Sequence, residues 1–342
     1  VNNIITPATI ISNSVAQIAA NISNAGNANV TNFSALFILS SSPPKLSIPE
    51  TGISTVSTNA TVDQSIVAVD SLGNLHIVWA DNRPGNNELF YKMLDVNGNV
   101  LINDTQLTSA SGNSLRPDIA VDYNNNLHIA WHDRRLGNTQ IFYKKIGPFL
   151  DDRNGDAANS SAITVVGDKH VSVNSRVELN SRDEHPSIAI DNLGNAHIAW
   201  ERAGDSSIGY AKLANDGAFI VPDIRITNKF RSLWRPSTSV EADSNGNAHI
   251  VWNDDSQTCD DEAYYMMLNA SGSALINITR LTANDCRNSK RQRLVVDAED
   301  NVHIISQDRS GINTEIFYSK INPYLDDRNG DSANESVITI IN

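Results

Sequence analysis

One phrase returns along this chain, and it fixes most of what the chain can fold into. Its first copy reads Val69-Asp70-Ser71-Leu72-Gly73-Asn74-Leu75-His76-Ile77-Val78-Trp79. Later copies centre on His128-Ile129-Ala130-Trp131, His197-Ile198-Ala199-Trp200, His249-Ile250-Val251-Trp252 and a weakened His303-Ile304-Ile305-Ser306. The anchor histidines stand 52, 69, 52 and 54 residues apart. Self-similarity at a period of roughly 20–50 residues marks repeat architectures, in which a unit buries its apolar faces against its neighbours. Each phrase is followed by an aromatic run, as in Leu89-Phe90-Tyr91 and Ile141-Phe142-Tyr143. A third apolar segment then closes on a Leu-Thr step such as Leu107-Thr108.

Within the first unit the alternation and β-branched content predict strand A over 65–70, B over 75–80, C over 88–94 and D over 100–108. Gly73-Asn74 sits where a tight turn needs positive φ. Four antiparallel strands per unit, repeated, predict an all-β fold, a β-propeller of four-stranded blades. The 69-residue spacing is explained by an insert over 148–160, Pro148-Phe149-Leu150-Asp151-Asp152-Arg153-Asn154-Gly155-Asp156 at its head. Nearly the same words open a second insert over 323–335, in the fifth unit. Matching inserts three units apart point to duplication of a three-blade block, which requires a unit ahead of the first. Residues 1–55 can supply it as a degenerate blade. Six blades are therefore expected, with the five evident ones over 56–342 as the alternative count.

The rival reading of residues 1–50 rests on Ala16-Gln17-Ile18-Ala19-Ala20-Asn21-Ile22-Ser23-Asn24-Ala25-Gly26-Asn27 followed by Phe33-Ser34-Ala35-Leu36-Phe37. This stretch resembles half of an immunoglobulin-like module of the CARDB type. Half a sandwich has open edges that seek a partner strand. Over residues 62–342 the Asp-x-x-Gly-Asn-x-His-Ile-Val-Trp phrase and Phe90-Tyr91-Lys92 resemble the sialidase-superfamily propellers of secreted and cell-surface proteins. The phrase departs from their Asp-box: Gly73 falls three residues after Asp70 instead of two, and Trp79 six after Gly73 instead of three. The turn also resembles that of NHL repeats, which serve mostly in binding. These resemblances imply an extracellular propeller and bear on fold more than on activity.

Five of the eight histidines occupy the same strand B position, once per blade. That distribution predicts structural histidines hydrogen-bonded between blades, and packing roles for Trp79, Trp131, Trp200 and Trp252. Trp234 breaks the register. Flanked by Arg231 and Arg235, it suits either sugar stacking or cover for a blade edge. Asp81-Asn82-Arg83, Asp133-Arg134-Arg135 and Glu201-Arg202 recur after strand B and read as ion pairs between neighbouring loops. Arg116, Arg235 and Arg293 are expected just before strand A on one face. The sialidase resemblance compares them with a carboxylate-binding arginine cluster, yet no Tyr/Glu nucleophile assembly can be assigned.

Asp152, Asn154 and Asp156, and again Asp327, Asn329 and Asp331, place oxygen ligands at alternate positions, which suits two Ca²⁺ sites. Cys259 and Cys286 fall in two loops of one blade and are expected to pair, a bond worth about 3 kcal/mol that needs an oxidising compartment. Asn21, Asn29, Asn32, Asn59, Asn103, Asn159, Asn269, Asn277 and Asn334 open glycosylation sequons.

The 26 basic against 39 acidic residues, net −13, disfavour a nucleic-acid partner and an anionic membrane surface. No apolar run approaches the ~20 residues of a membrane helix. A first residue Val1 instead of Met reads as a processed or trimmed product. The expected function is a non-catalytic extracellular scaffold or binding module for a protein or glycan at the cell surface. The alternatives are a subunit of a filament or surface layer that self-associates through its N-terminal β segment, and a sialidase-like glycoside hydrolase. No organic cofactor is expected.

Overall fold

The computed structural model describes residues 52–53, 61–149, 161–173, 182–204, 206–227, 238–254, 261–282, 289–310 and 313–322. By its internal contacts the chain divides into Val1–Pro49 and Glu50–Asn342, and the description concerns the second unit. The predicted degenerate blade or half-module over 1–55 lies outside the described residues apart from 52–53.

Among the described residues nineteen strands form five antiparallel sheets. Blade one holds β1 (Val62–Val69), β2 (Leu75–Asp81), β3 (Glu88–Leu94) and β4 (Val100–Gln106) in sequential order. Blade two holds β5 (Ser114–Val121), β6 (Leu127–Leu136), β7 (Asn138–Phe149) and β8 (Ser161–His170). Blade three holds β9 (Asp183–Ile190), β10 (Ala196–Arg202), β11 (Ser207–Leu213) and β12 (Phe219–Arg225). Blade four holds β13 (Ser239–Ala242), β14 (Ala248–Asp254), β15 (Glu262–Leu268) and β16 (Ala274–Arg280). Blade five shows β17 (Ser289–Val296), β18 (Val302–Ser310) and β19 (Asn313–Ile321). The all-β propeller fold thus stands, and five blades are present among the described residues. The first insert does separate the third and fourth strands of its blade.

The repeated phrase builds a compact local motif. Asp70 Oδ1 accepts the N–H groups of Leu72 and Asn74, and its Oδ2 accepts Asn74 Nδ2–H. Gly73 takes the left-handed conformation (φ 82°) that the turn demands. The strand B histidine then bridges two partners inside its own blade. In blade two His128 Nδ1 lies 2.8 Å from Tyr143 Oη and Nε2 lies 3.2 Å from Asp122 Oδ2. The same pairs form at His197 with Tyr210 and Asp191, and at His249 with Tyr265 and Asp243. The structural role holds, but the hydrogen bonds run within blades, not between them. The reason is reach: the tyrosine on the neighbouring strand C and the aspartate of the preceding turn lie in the same sheet. The four tryptophans are buried cores of their blades.

The loop acids and bases also pair within blades. Arg83 spans Asp81 (2.6 Å) and Asp104 (3.2 Å) while lying over the Phe90 ring at 4.2 Å. Arg135 repeats this with Asp133, Asp168 and Phe142. Each arginine ties the end of strand B to strand D across an aromatic of strand C, which corrects the expected pairing between loops.

Blades are joined along their innermost strands. An inner strand has one unpaired edge, and its N–H groups need acceptors. Gln64 Oε1 accepts the N–H of Arg116 at 2.7 Å, linking blade one to two. Asp118 Oδ2 accepts from Ile188 N–H (3.0 Å), Ser187 Oγ from Val240 N–H (3.3 Å) and Ser239 Oγ from Leu294 N–H (3.5 Å). One side chain from each blade therefore satisfies the edge of the next.

Candidate functional site

The innermost strands β1, β5, β9, β13 and β17 together line a cavity of about 570 Å³ on the propeller axis, within the size range of ligand pockets. A repeat protein offers an internal control for finding its site: positions where the copies disagree. Two such positions line this cavity, and a third adjoins it through His185.

The first is a bulge near the start of each inner strand. Gln64, Arg116, His185 and Arg291 occupy it in blades one, two, three and five, with φ of 50°, 52°, 51° and 56°. Left-handed backbone is strained for side-chain-bearing residues, and bulges re-aim side chains. All four residues line the cavity. Arg116 therefore lies inside β5, and Arg293 lies inside β17 two residues beyond the true counterpart, Arg291. Both had been expected before strand A. The bulge consumes the extra residue that made Arg116 look like a loop position, whereas Arg293 shares the level of Ile66, already within strand A.

The second position follows the tryptophan site of strand B: Ala80, His132, Glu201, Asn253 and Gln307. Here blades two and three build a cluster. His185 Nδ1 lies 2.9 Å from Glu201 Oε2, and the His132 ring sits edge-on to His185 at 6.5 Å. His132 is only 4% exposed, and neither of its ring nitrogens has a hydrogen-bond partner. Burial first, then the charges of His185, Arg116 and Arg134, push it down to about 3, so it is neutral. Burial pushes the Glu201 carboxyl up, against the pull of His185.

The third position carries one acid, Glu241, and Asp118 stands two residues earlier in the repeat, where the other blades have Ile66, Ser187, Ser239 and Arg293. Glu241 stands on β13 where the other blades have Ala68, Ala120, Ala189 and Val295. Burial, reinforced by the negative charge of Asp118, pushes the Glu241 carboxyl up to about 7. Burial also raises Asp118, opposed by its hydrogen bonds from Ile188 and Ile119 N–H and by the Arg293 charge. The arrangement sets two buried carboxyls, both pushed up by burial, on two inner strands that line the cavity.

Arg116 and Arg293 are brought to this cavity. Trp234, Arg231 and Arg235 lie outside the described residues, as do Asp152, Asn154, Asp156, Asp327, Asn329, Asp331, Cys259 and Cys286. Among the described residues no group of three or more His, Cys, Asp or Glu is arranged to hold a metal ion. Of the sequons, Asn103 and Asn277 are exposed on the outermost strands, and Asn269 Oδ1 caps its own turn. His132, His185, Glu201, Asp118 and Glu241 were not singled out from sequence. Their signal was there as two histidines outside the repeated phrase and a glutamate in an alanine column.

No known protein family matches the chain, and no curated protein matches it. Solved structures of similar architecture include a PL25 ulvan lyase, with a TM-score of 0.43 and 10% identity over 75% of this chain and 66% of that one. They also include a levansucrase complexed with sucrose (TM-score 0.39, 10% identity, 80% of this chain and 88% of that one). A third is the α-L-arabinofuranosidase from Lactobacillus brevis (TM-score 0.39, 10% identity, 75% and 90%). The chain spans about two thirds of the length of the ulvan lyase it matches. No helix among the described residues is long and apolar enough to cross a membrane.

Proposed function

We propose that the protein acts on an extracellular glycan at its axial cavity, as a hydrolase of glycosidic bonds. The observation that carries this reading is Glu241, a carboxyl pushed up to about 7 beside Asp118 in a column of otherwise small residues. Glycoside hydrolysis uses one carboxyl to protonate the leaving oxygen and another, ionised, on the opposite side of the bond. In this reading Glu241 is the acid and Asp118 the partner carboxyl. Arg116, Arg291 and the Glu201-held His185 orient the sugar hydroxyls.

The test is release of reducing ends from a panel of neutral and uronate-containing polysaccharides. Wild-type protein is expected to release them, with activity falling as pH rises through about 7 because the acid is lost. Glu241→Gln is expected to lose at least ~100-fold, the scale of general acid catalysis. A second reading, a non-catalytic glycan-binding module, is favoured by one observation: Asp118 already serves as acceptor for Ile188 N–H. It predicts unchanged glycan binding in Glu241→Gln and no release by either protein. Failure of every polysaccharide both to bind and to be cleaved would end both readings.

A further inference from the structure

A buried lysine stands at the junction of blades two and three. Lys145, paired with His128 across β6 and β7, is only 2% exposed. Its Nζ lies 2.8 Å from Oδ2 of Asp122, a fully buried side chain in the β5–β6 turn, and it also donates to Asn215 Oδ1. Asn215 belongs to blade three, in the turn between β11 and β12, 70 residues further along the chain. That turn is packed on two sides. A Cβ on Gly217 would lie 2.7 Å from Val166 Cγ1 of β8, and one on Gly194 would lie 3.3 Å from Asn215 Cγ. The side-chain amide is therefore held against the amine. The repeat supplies the control. Blade three houses the same lysine, Lys212 beside Asp191 and His197, but there it donates to backbone Gly246 O at 3.1 Å, and Ala270 takes the place of Asn215. Blades one and four carry Met93 and Met267 in place of the lysine. Of the four junctions between described blades, only that of two and three brings amine, carboxylate and side-chain amide together at this position.

We propose that Lys145 and Asn215 join in an isopeptide bond, a covalent brace between blades two and three. The Lys145 Nζ lone pair attacks Asn215 Cγ, the Cγ–Nδ2 bond breaks, and its electron pair leaves with the nitrogen. Asp122 takes one proton from the ammonium to free that lone pair and returns it to the departing nitrogen. The second proton that Nζ sheds follows the same route, so ammonium leaves and the new amide keeps one N–H. The exchange needs no oxidant or co-reactant. Groups held in contact react as a single unit instead of waiting to collide. Hydrogen bonds from His128, Lys145 and Asn126 hold the Asp122 carboxyl well below the usual carboxylate range, which makes it a weak base and the reaction slow. One turnover per chain is enough, and loss of ammonium through the cleft lined by Asn126, Val165 and Ala214 makes the bond permanent.

The test is the intact mass of the full chain, denatured after prolonged incubation of the folded protein at neutral pH. The wild type is expected to be lighter than its sequence by one ammonia. Its protease digest should contain a branched peptide carrying both Lys145 and Asn215. Lys145→Met and Asn215→Ala adopt the residues that other blades use at Met93 and Ala270, so both should fold, and each is expected at the full mass of its own sequence. Asp122→Asn keeps an oxygen to cap its turn, as Asn269 does in blade four, and is also expected at full mass. A wild type at full sequence mass overturns the proposal. So does a deficit that survives in Lys145→Met or Asn215→Ala, which assigns the lost ammonia to other residues. A cross-link in Asp122→Asn overturns the part given to Asp122.

Discussion

His185 reaches Glu201 at 2.9 Å across the paired strands β9 and β10, at a level of the blade where the copies disagree. The pair is built from a residue in left-handed backbone and one at 3% exposure. Strain and burial of that kind are seldom maintained for stability alone. The expectation is that His185→Asn and Glu201→Gln cost about 1 kcal/mol of stability, the net worth of one hydrogen bond. Thermal melts should move by roughly 2–4 °C. Affinity for the polysaccharide identified by the release assay should fall by about tenfold or more. A melting loss several times larger, with affinity intact, would make the pair a structural brace and nothing else.

The histidine motif makes acid sensitivity a property of the fold. Burial lowers His76, His128 and His197 despite the aspartates beside them, so the folded chain holds them neutral. A histidine lowered in the folded state contributes stability that is full above its unfolded value near 6.5 and is lost as pH falls from there. Asp122 and Asp191 are lowered by hydrogen bonds from histidine, lysine and asparagine. Their contribution is complete above about 3.9 and is lost below it. Both terms act in the same direction, in two stages. Melting temperature measured from pH 8 to pH 3 should hold above 7, decline from about 6.5, and drop more steeply below 4. The burial-raised Asp118, Glu201 and Glu241 slope the opposite way over part of this range. The deciding measurement is therefore the imidazole itself: NMR signals showing His128 protonated in the folded chain between pH 7 and 5 would contradict the neutral assignment.

Asp118 has two duties, and substitution separates them. Asp118→Ala strands the Ile188 N–H on the inner edge, a loss of about 1–3 kcal/mol. Asp118→Asn keeps a carbonyl acceptor 3.0 Å from that N–H and should recover most of it. It also removes the partner carboxyl of Glu241, so release of reducing ends should fall by at least ~100-fold even though the fold is kept. Equal urea midpoints for the alanine and asparagine variants would show that the edge link carries no stability.

Much of this was legible because repetition exposes structure. The Asp70–His76–Trp79 spacing gives the turn, strand B and the core position directly, and Glu88–Leu94 is strand C as read. What the spacing could not convey was register. The bulge between Asp63 and Ile66, repeated between Leu115 and Asp118 and between Lys290 and Arg293, inserts one residue into each inner strand. The bulge places Arg116, twelve residues before His128, inside β5, whereas Arg293 stands ten before His303 and is no counterpart of Arg116. The partners of the histidines were likewise invisible, since a tyrosine 13–16 residues away could belong to the same blade or the next. The site itself was hidden by the strength of the repeat. Attention to what recurs passes over His185 and Glu241, which matter because they do not.

Gly209 offers the sharpest packing test. The position after the first strand C aliphatic is Phe90, Phe142, Tyr264 and Phe317 in the other blades, and glycine only in blade three. Trp79 and Trp252 stack on their aromatic neighbours at 6.1 Å. Trp200 has no such neighbour and moves into the vacated volume: a Cβ on Gly209 would lie 2.3 Å from Trp200 Cε2. That contact is impossible without displacing a fully buried indole. Gly209→Ala gains β-propensity and loses nothing by backbone conformation, so any destabilisation reports the clash. Overpacking of this kind costs about 1–3 kcal/mol, a fall of roughly 4–8 °C for a 2 kcal/mol loss. Restoring the repeat's own choice, Gly209→Phe, should be worse, because the phenyl ring competes for the space the indole already fills. If Gly209→Phe instead stabilises the chain, Trp200 is free to return to the position its counterparts hold, and the glycine is an accident of the repeat.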